Sequence, residues 1–133
     1  MLVENIFSED DIMVALSRTR YLIKDLPFSE SERQAIFVTI MELTRNILNH
    51  ARANGVYTCD IVEDGVRITV RDFGPGIRQL DEILQGSYKS KTGLGLGLAG
   101  SKRLMDVFNI ETSSEGTKIV ALKKIKPRRM RSF

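Results

Sequence analysis

Hydrophobic residues recur at helical spacing through the first third of the chain. Ile12, Ala15, Leu16, Leu22, Ile23 and Leu26 form one apolar stripe, and Ser8 with Asp11 three residues on offers a cap at its start. Pro27 predicts its stop. Ser29 and Glu32 make a second capping box, opening a long helix whose buried side is marked by Ala35, Ile36, Leu43 and Ile47. The period then falls to two. In CDIVEDGVRITVRD, Val66, Ile68 and Val70 share one face while Arg67, Thr69 and Arg71 share the other, which predicts a hairpin turning at Asp64 and Gly65. Asp72 continues the apolar parity.

The pattern is lost after DFGPG. Residues Ile77 to Thr92 are polar, with a short helical stretch in LDEIL followed by GSYKSKTG, a mix that predicts a lid. A third helix is expected after the glycines that follow, with Leu98, Leu104, Met105 and Phe108 on its buried face. NIETSSEGTKIVALKKI closes the chain's regular structure as a hairpin turning at Glu115 and Gly116. Helix, helix, hairpin, lid, helix, hairpin is the order of an α+β two-layer sandwich, a mainly antiparallel sheet with helices on one face.

Composition narrows the function classes. A chain of 133 residues, 42% hydrophobic, can bury one core without staples. It has no long apolar run, and MLVENIFSEDD is too short and acidic for a signal peptide, so a cytoplasmic protein without a membrane partner is expected. One cysteine and one histidine argue against a disulfide framework or a zinc site, and Cys59 reads as a buried strand residue. Six of the 20 basic residues lie between Lys123 and Arg131, leaving 14 basic against 17 acidic elsewhere. No nucleic-acid partner is expected, because that would need Lys and Arg spread over a face with interleaved aromatics. The expected organisation is a single domain over residues 1–125, with a lid at about 77–95, and a basic tail over 126–133.

Three stretches carry candidate chemistry. In MELTRNILNHA, Glu42 and Asn46 are four residues apart on one helix face, with Thr39 and His50 on the same side. A carboxylate can orient or deprotonate a nucleophile, and an amide oxygen suits Mg²⁺ that takes its other ligands from water and phosphates. Alone, such a pair usually decorates a wet face. In DFGPG, Asp72 ends an apolar stripe, where an unpartnered carboxylate is costly, and Gly74 and Gly76 leave room for a flat ring. The alternative is a plain strand end with a glycine turn. In TGLGLGLAGSK, Gly93, Gly95 and Gly97 can aim backbone amides at phosphate oxygens ahead of a helix, with Lys89 and Lys91 nearby. A dinucleotide fingerprint is excluded because no strand precedes Gly95, and a P-loop because the order is Gly100, Ser101, Lys102 rather than Gly-Lys-Ser. The kinase DFG triplet is excluded because no HRD loop accompanies it.

Taken in order, these motifs resemble the ATP site of the GHKL family, which shares the Bergerat fold. Glu42-x-x-x-Asn46 looks like its N box, Asp72-x-Gly74-x-Gly76 its G1 box, Gly93-x-Gly95-x-Gly97 its G2 box, and Gly116-Thr117 its closing motif. Within that family the compact chain, lacking a phosphoacceptor histidine on a separate helix, is most similar to the anti-sigma-factor and stressosome switch-protein serine kinases. The resemblance implies ATP and Mg²⁺ as cofactors, with Asp72 accepting the adenine amino proton, Thr117 assisting through water, and Asn46 holding the metal. It implies Glu42 as general base and phosphate contacts from Gly93, Leu94, Gly95, Leu96 and Gly97. Lys89, Ser90 and Lys91 would be lid contacts. His50 is assigned no role beyond structure. The implied substrate is a serine or threonine of a STAS-domain antagonist in a partner-switching pathway. A PP2C-type phosphatase or a sigma factor is a further implied partner, and a homodimer is compatible with the resemblance. The rival reading is a non-catalytic module that binds ATP and sequesters a sigma factor or activates a phosphatase; an intact Glu42 argues against it, because binding needs no base.

Overall fold

A computed structural model describes residues 1–50, 54–77 and 94–127 of the chain. In chain order its elements are β1 (Leu2–Ile6), α1 (Glu9–Leu22), α2 (Glu30–His50), β2 (Gly55–Val62), β3 (Gly65–Asp72), α3 (Leu94–Leu104), β4 (Val107–Ser113) and β5 (Gly116–Lys124). The strands form one sheet in the order β1-β2-β3-β5-β4, every neighbouring pair antiparallel. Helix α1 packs on β1 and α2, and α2 packs on β1, β3 and α3, so the helices cover one face as expected.

Capping fixes where the helices begin. Asp11 accepts hydrogen bonds from the Phe7 and Ser8 amides at 2.8 and 3.1 Å. Ser29 and Glu32 form both arms of their box, Ser29 N to Glu32 Oε1 at 2.8 Å and Glu32 N to Ser29 Oγ at 3.2 Å. Such caps each stabilise a helix by about 1 kcal/mol. Helix α1 ends at Leu22, earlier than Pro27 suggested, because Arg33 of α2 reaches back and donates to the Ile23, Lys24 and Leu26 carbonyls. Those interactions satisfy carbonyls in the turn where a longer helix would have satisfied them internally.

The core lies between the layers. Ile12, Ile36, Ile40, Leu43 and Ile47 from the helices meet Tyr57, Cys59, Val66 and Ile68 from the sheet, all essentially inaccessible to solvent. Cys59 is a buried strand residue as expected, and burial pushes its thiol up to about 11. Thr19 bonds the Tyr57 hydroxyl at 2.8 Å and satisfies it inside this core.

Four local expectations are corrected. Strand β1 was not foreseen: Leu2 and Ile6 are buried but Glu4 lies between them on the same face, which breaks the apolar alternation. Both hairpins turn one residue earlier than expected, since Val62 pairs with Gly65 and Ser113 with Gly116. Phe108 belongs to β4 rather than to the third helix, facing Ala121 of β5 across the sheet. The third helix itself starts at Leu94 and takes in Gly95 and Gly97. Packing explains this last case. Leu98 and Ala99 are buried and α3 packs on α2, so tertiary burial outweighs the poor helix propensity of glycine. Of the lid expected over 77–95, residues 78–93 lie outside the described residues, and so do 128–133 of the tail.

Candidate active site

At one end of the sheet, antiparallel register lines up the polar residues. Strand parity turns Asp72 inward with Val66, Ile68 and Val70, and pairing sets it opposite Thr117, which in turn lies opposite Thr112. Asp72 Oδ1 accepts hydrogen bonds from Gly74 N at 3.0 Å and Thr117 N at 3.2 Å. Among the described residues its second oxygen has no protein partner. Thr117 is 5% exposed, and its hydroxyl lies 2.9 Å from that of Thr112, which also accepts from Ile77 N at 2.8 Å. The carboxylate is thus oriented by the backbone, with one oxygen left for a ligand.

Apolar walls flank this row. Leu43, Val70, Ile77 and Ile119 close a cleft into which Asp72, Thr117, Asn46 and His50 also open. The enclosed space is about 20 Å³, room for roughly one water. A flat base would fit only if this cleft, of which Gly76 and Ile77 form one wall, were wider. Gly76 sets that wall: its φ is +86°, and a Cβ there would run into the carbonyl oxygen of Ser113.

Helices α2 and α3 form the other end. Glu42 is half-buried, and among the described residues it has no hydrogen bond or ion pair. Among the described residues, the Asn46 Nδ2 atom is buried without a partner, as are the hydroxyls of Thr39 and Ser101. Buried polar atoms are rarely left so, and Asn46 at the cleft wall is suited to a ligand that supplies what the protein does not. Rotating its amide by half a turn would place the carbonyl oxygen there, a hard donor of the kind Mg²⁺ takes. The donor set therefore fits a metal held by one protein oxygen and completed by phosphates and water. His50, one turn beyond Asn46, is partly buried, and burial lowers its pKa below the usual histidine value.

The glycine segment is placed differently from its sequence reading. Leu94, Gly95, Leu96 and Gly97 form the first turn of α3 rather than a loop before it. The first four amides of a helix lack intrahelical acceptors and sit at its positive end, so the capacity to meet an anion is retained. Gly97 lies directly against Glu42: a Cβ built on it would be 2.7 Å from Glu42 Oε2. Gly93, Lys89, Ser90 and Lys91 lie outside the described residues. The structure thus brings Asn46, Asp72, Gly76 and Thr117 to one cleft and Glu42 to Gly97. Thr112, Ile77 and Ile119 were missed. Correct register of the last hairpin would have found Thr112, since a turn at Ser114 and Glu115 places it opposite Thr117.

Among the described residues no helix is long and apolar enough to cross a membrane. Comparison with known proteins agrees with the fold and extends it. The catalytic domain of the histidine kinase ThkA superposes with a TM-score of 0.63 at 17% identity, covering 97% of this chain and 99% of that one. The RsbU and RsbW domains of Rv1364c from Mycobacterium tuberculosis give a TM-score of 0.67 at 17% identity, over 92% of this chain and 32% of that one. In sequence, the serine/threonine-protein kinase RsbT of Bacillus subtilis is 35% identical over 122 residues, 89% of this chain and 92% of its own. An anti-sigma F factor of Clostridium perfringens is 34% identical over 106 residues, 65% of this chain and 76% of its own. The family described as the histidine kinase-like ATPase domain matches residues 10–123. With that match over most of its length and the Glu42, Asn46, Asp72 and Thr117 arrangement beneath it, the chain belongs to the histidine kinase-like ATPase, or GHKL, family.

Proposed function

We propose that the chain is a serine/threonine protein kinase of the partner-switching type, moving the γ-phosphate of ATP to a hydroxyl of a STAS-domain antagonist. The observation that carries this reading is Glu42, a carboxylate without a partner among the described residues, set against the first turn of α3. Binding a nucleotide does not require such a group; accepting a hydroxyl proton does. The likeness to RsbT supports the same reaction class.

On this reading Asp72 accepts the adenine amino group through its free oxygen, Thr117 orders a water beside it, and Leu43, Val70 and Ile119 pack on the ring. Asn46 would hold Mg²⁺, which when bound offsets charge on the β- and γ-phosphates. The amides opening α3 and Gly93 meet the γ-phosphate, and Lys89, Ser90 and Lys91 cover it. The substrate oxygen forms its bond to the γ-phosphorus while the bond to the β-bridging oxygen breaks. ADP leaves, and Glu42 takes the hydroxyl proton. Catalysis then depends mainly on holding the hydroxyl, the phosphoryl group and the carboxylate in line. A cytoplasmic site of action follows, since ATP and the antagonist must meet there.

The anti-sigma F similarity supports a second role in the same proteins, sequestering a sigma factor, and a PP2C-type phosphatase is the other candidate partner. Residues 126 and 127, the described start of the basic tail, lie beyond the last strand and are not among the residues that line the cleft. The test is incubation with γ-labelled ATP, Mg²⁺ and each STAS-domain protein of the same genome, followed by mapping of the modified residue. Label on one serine or threonine supports the kinase; nucleotide-dependent binding with no label on any of them supports the non-catalytic module.

A further inference from the structure

Gly97 and Gly100 sit three residues apart in α3, yet their surroundings are opposite. A Cβ on Gly100 meets nothing within 4 Å. For a Cβ on Gly97 the three nearest atoms among the described residues all belong to Glu42, at 2.7 Å for Oε2, 3.6 Å for Cδ and 3.9 Å for Cβ. Neither backbone is in the left-handed region, so the requirement at position 97 is one of space. That space is filled by the carboxylate oxygen.

We propose that Gly97 is a positioning residue for Glu42: the missing side chain is what lets the carboxylate lie against the first turn of α3, where the phosphoryl group is transferred. This rests on the proposed kinase reading. A methyl group at 97 meets the far end of a flexible side chain rather than backbone, so Glu42 swings aside and the helix stays in place. The fold is spared and the carboxylate is moved. Displacing a reacting group by about 1 Å can cost roughly 10²-fold in rate. The backbone amide of residue 97 survives the substitution, so contacts of the helix start with phosphate are kept.

The test is a cycle of Gly97→Ala, Glu42→Ala and the pair, with Gly100→Ala as a matched control in the same helix. At saturating ATP, Gly97→Ala should slow single-turnover transfer by roughly 10- to 100-fold while ATP affinity stays within about twofold of the wild type. Gly100→Ala should leave transfer unchanged and raise the melting temperature, because alanine is the better helix former. In the Glu42→Ala background the space is vacant, so Gly97→Ala should cost nothing further in transfer. It should also raise the melting temperature more there than in the wild type. Wild-type transfer by Gly97→Ala overturns the proposal. So does a loss that persists undiminished in the Glu42→Ala background, or one that takes the form of weaker ATP binding. Should Gly97→Ala alone fail to fold, the pair must still fold like Glu42→Ala, and its failure overturns the contact. The thermal coupling needs no transferred phosphate, so a wild type inactive on every STAS protein defeats the kinase reading without deciding this one.

Discussion

The two ends of the candidate site are built on opposite plans. At the sheet end, Asp72 is engaged by two backbone amides, Thr117 by Thr112, and Thr112 by the Ile77 amide, leaving one carboxylate oxygen open among the described residues. At the helix end, among the described residues, Asn46 buries a polar atom without a partner and Glu42 has none either. An unsatisfied buried polar group costs on the order of 1–3 kcal/mol, so the second arrangement is one a ligand can improve and the first is already settled. On the proposed reading, recognition of the base is organised by strand pairing, whereas phosphoryl transfer is completed only when nucleotide and substrate arrive.

The largest effect expected from breaking this division comes from Glu42→Gln. It keeps the size of the side chain and removes the proton acceptor, so transfer should fall by roughly 10²- to 10⁴-fold while the ATP dissociation constant holds. Single-turnover kinetics beside calorimetry check both halves. Asp72→Asn should act on the other side. Losing a charge-assisted hydrogen bond of about 1.5–3 kcal/mol should weaken ATP by roughly 10- to 100-fold and GTP far less. The Gly74 and Thr117 amides still find an oxygen acceptor in Asn, so the fold should be retained.

Thr112→Val is a smaller probe of the sheet end. It removes the acceptor for the Ile77 amide and the partner of Thr117, and should cost about 1 kcal/mol in a denaturation experiment with only a mild loss of ATP affinity. The smallest effect belongs to His50. Its pKa is lowered by burial in the fold, so the unfolded chain binds the proton first as pH falls through about 6.5. Stability should therefore decline with falling pH from that point, and level off once the pH is below the folded value. His50→Asn should flatten that part of a melting-temperature profile against pH.

How far the sequence told this in advance depended on whether local signals agreed with tertiary ones. Helix α2 was legible because its capping box, its apolar stripe and its burial coincide at Ser29, Glu32, Ile36 and Leu43. The inward turn of Asp72 was legible because strand parity is strict. Strand β1 was not, since Glu4 interrupts its buried face and an edge strand is recognised by the neighbour it pairs with. The glycines of α3 misled for a related reason: propensity favours a loop, while packing of Leu98 and contact with α2 impose a helix. Thr112 escaped because moving a two-residue turn by one position slips the pairing by two, which puts Ser114 rather than Thr112 opposite Thr117.

Division of labour between the two ends is tested most directly by the single-turnover rate of transfer to a STAS-domain substrate as ATP is raised to saturation, in the wild type, Asp72→Asn and Glu42→Gln. The account predicts that excess ATP restores Asp72→Asn to the wild-type rate and leaves Glu42→Gln slow at every concentration. Recovery of Glu42→Gln at high ATP, or a plateau for Asp72→Asn well below the wild type, would contradict it.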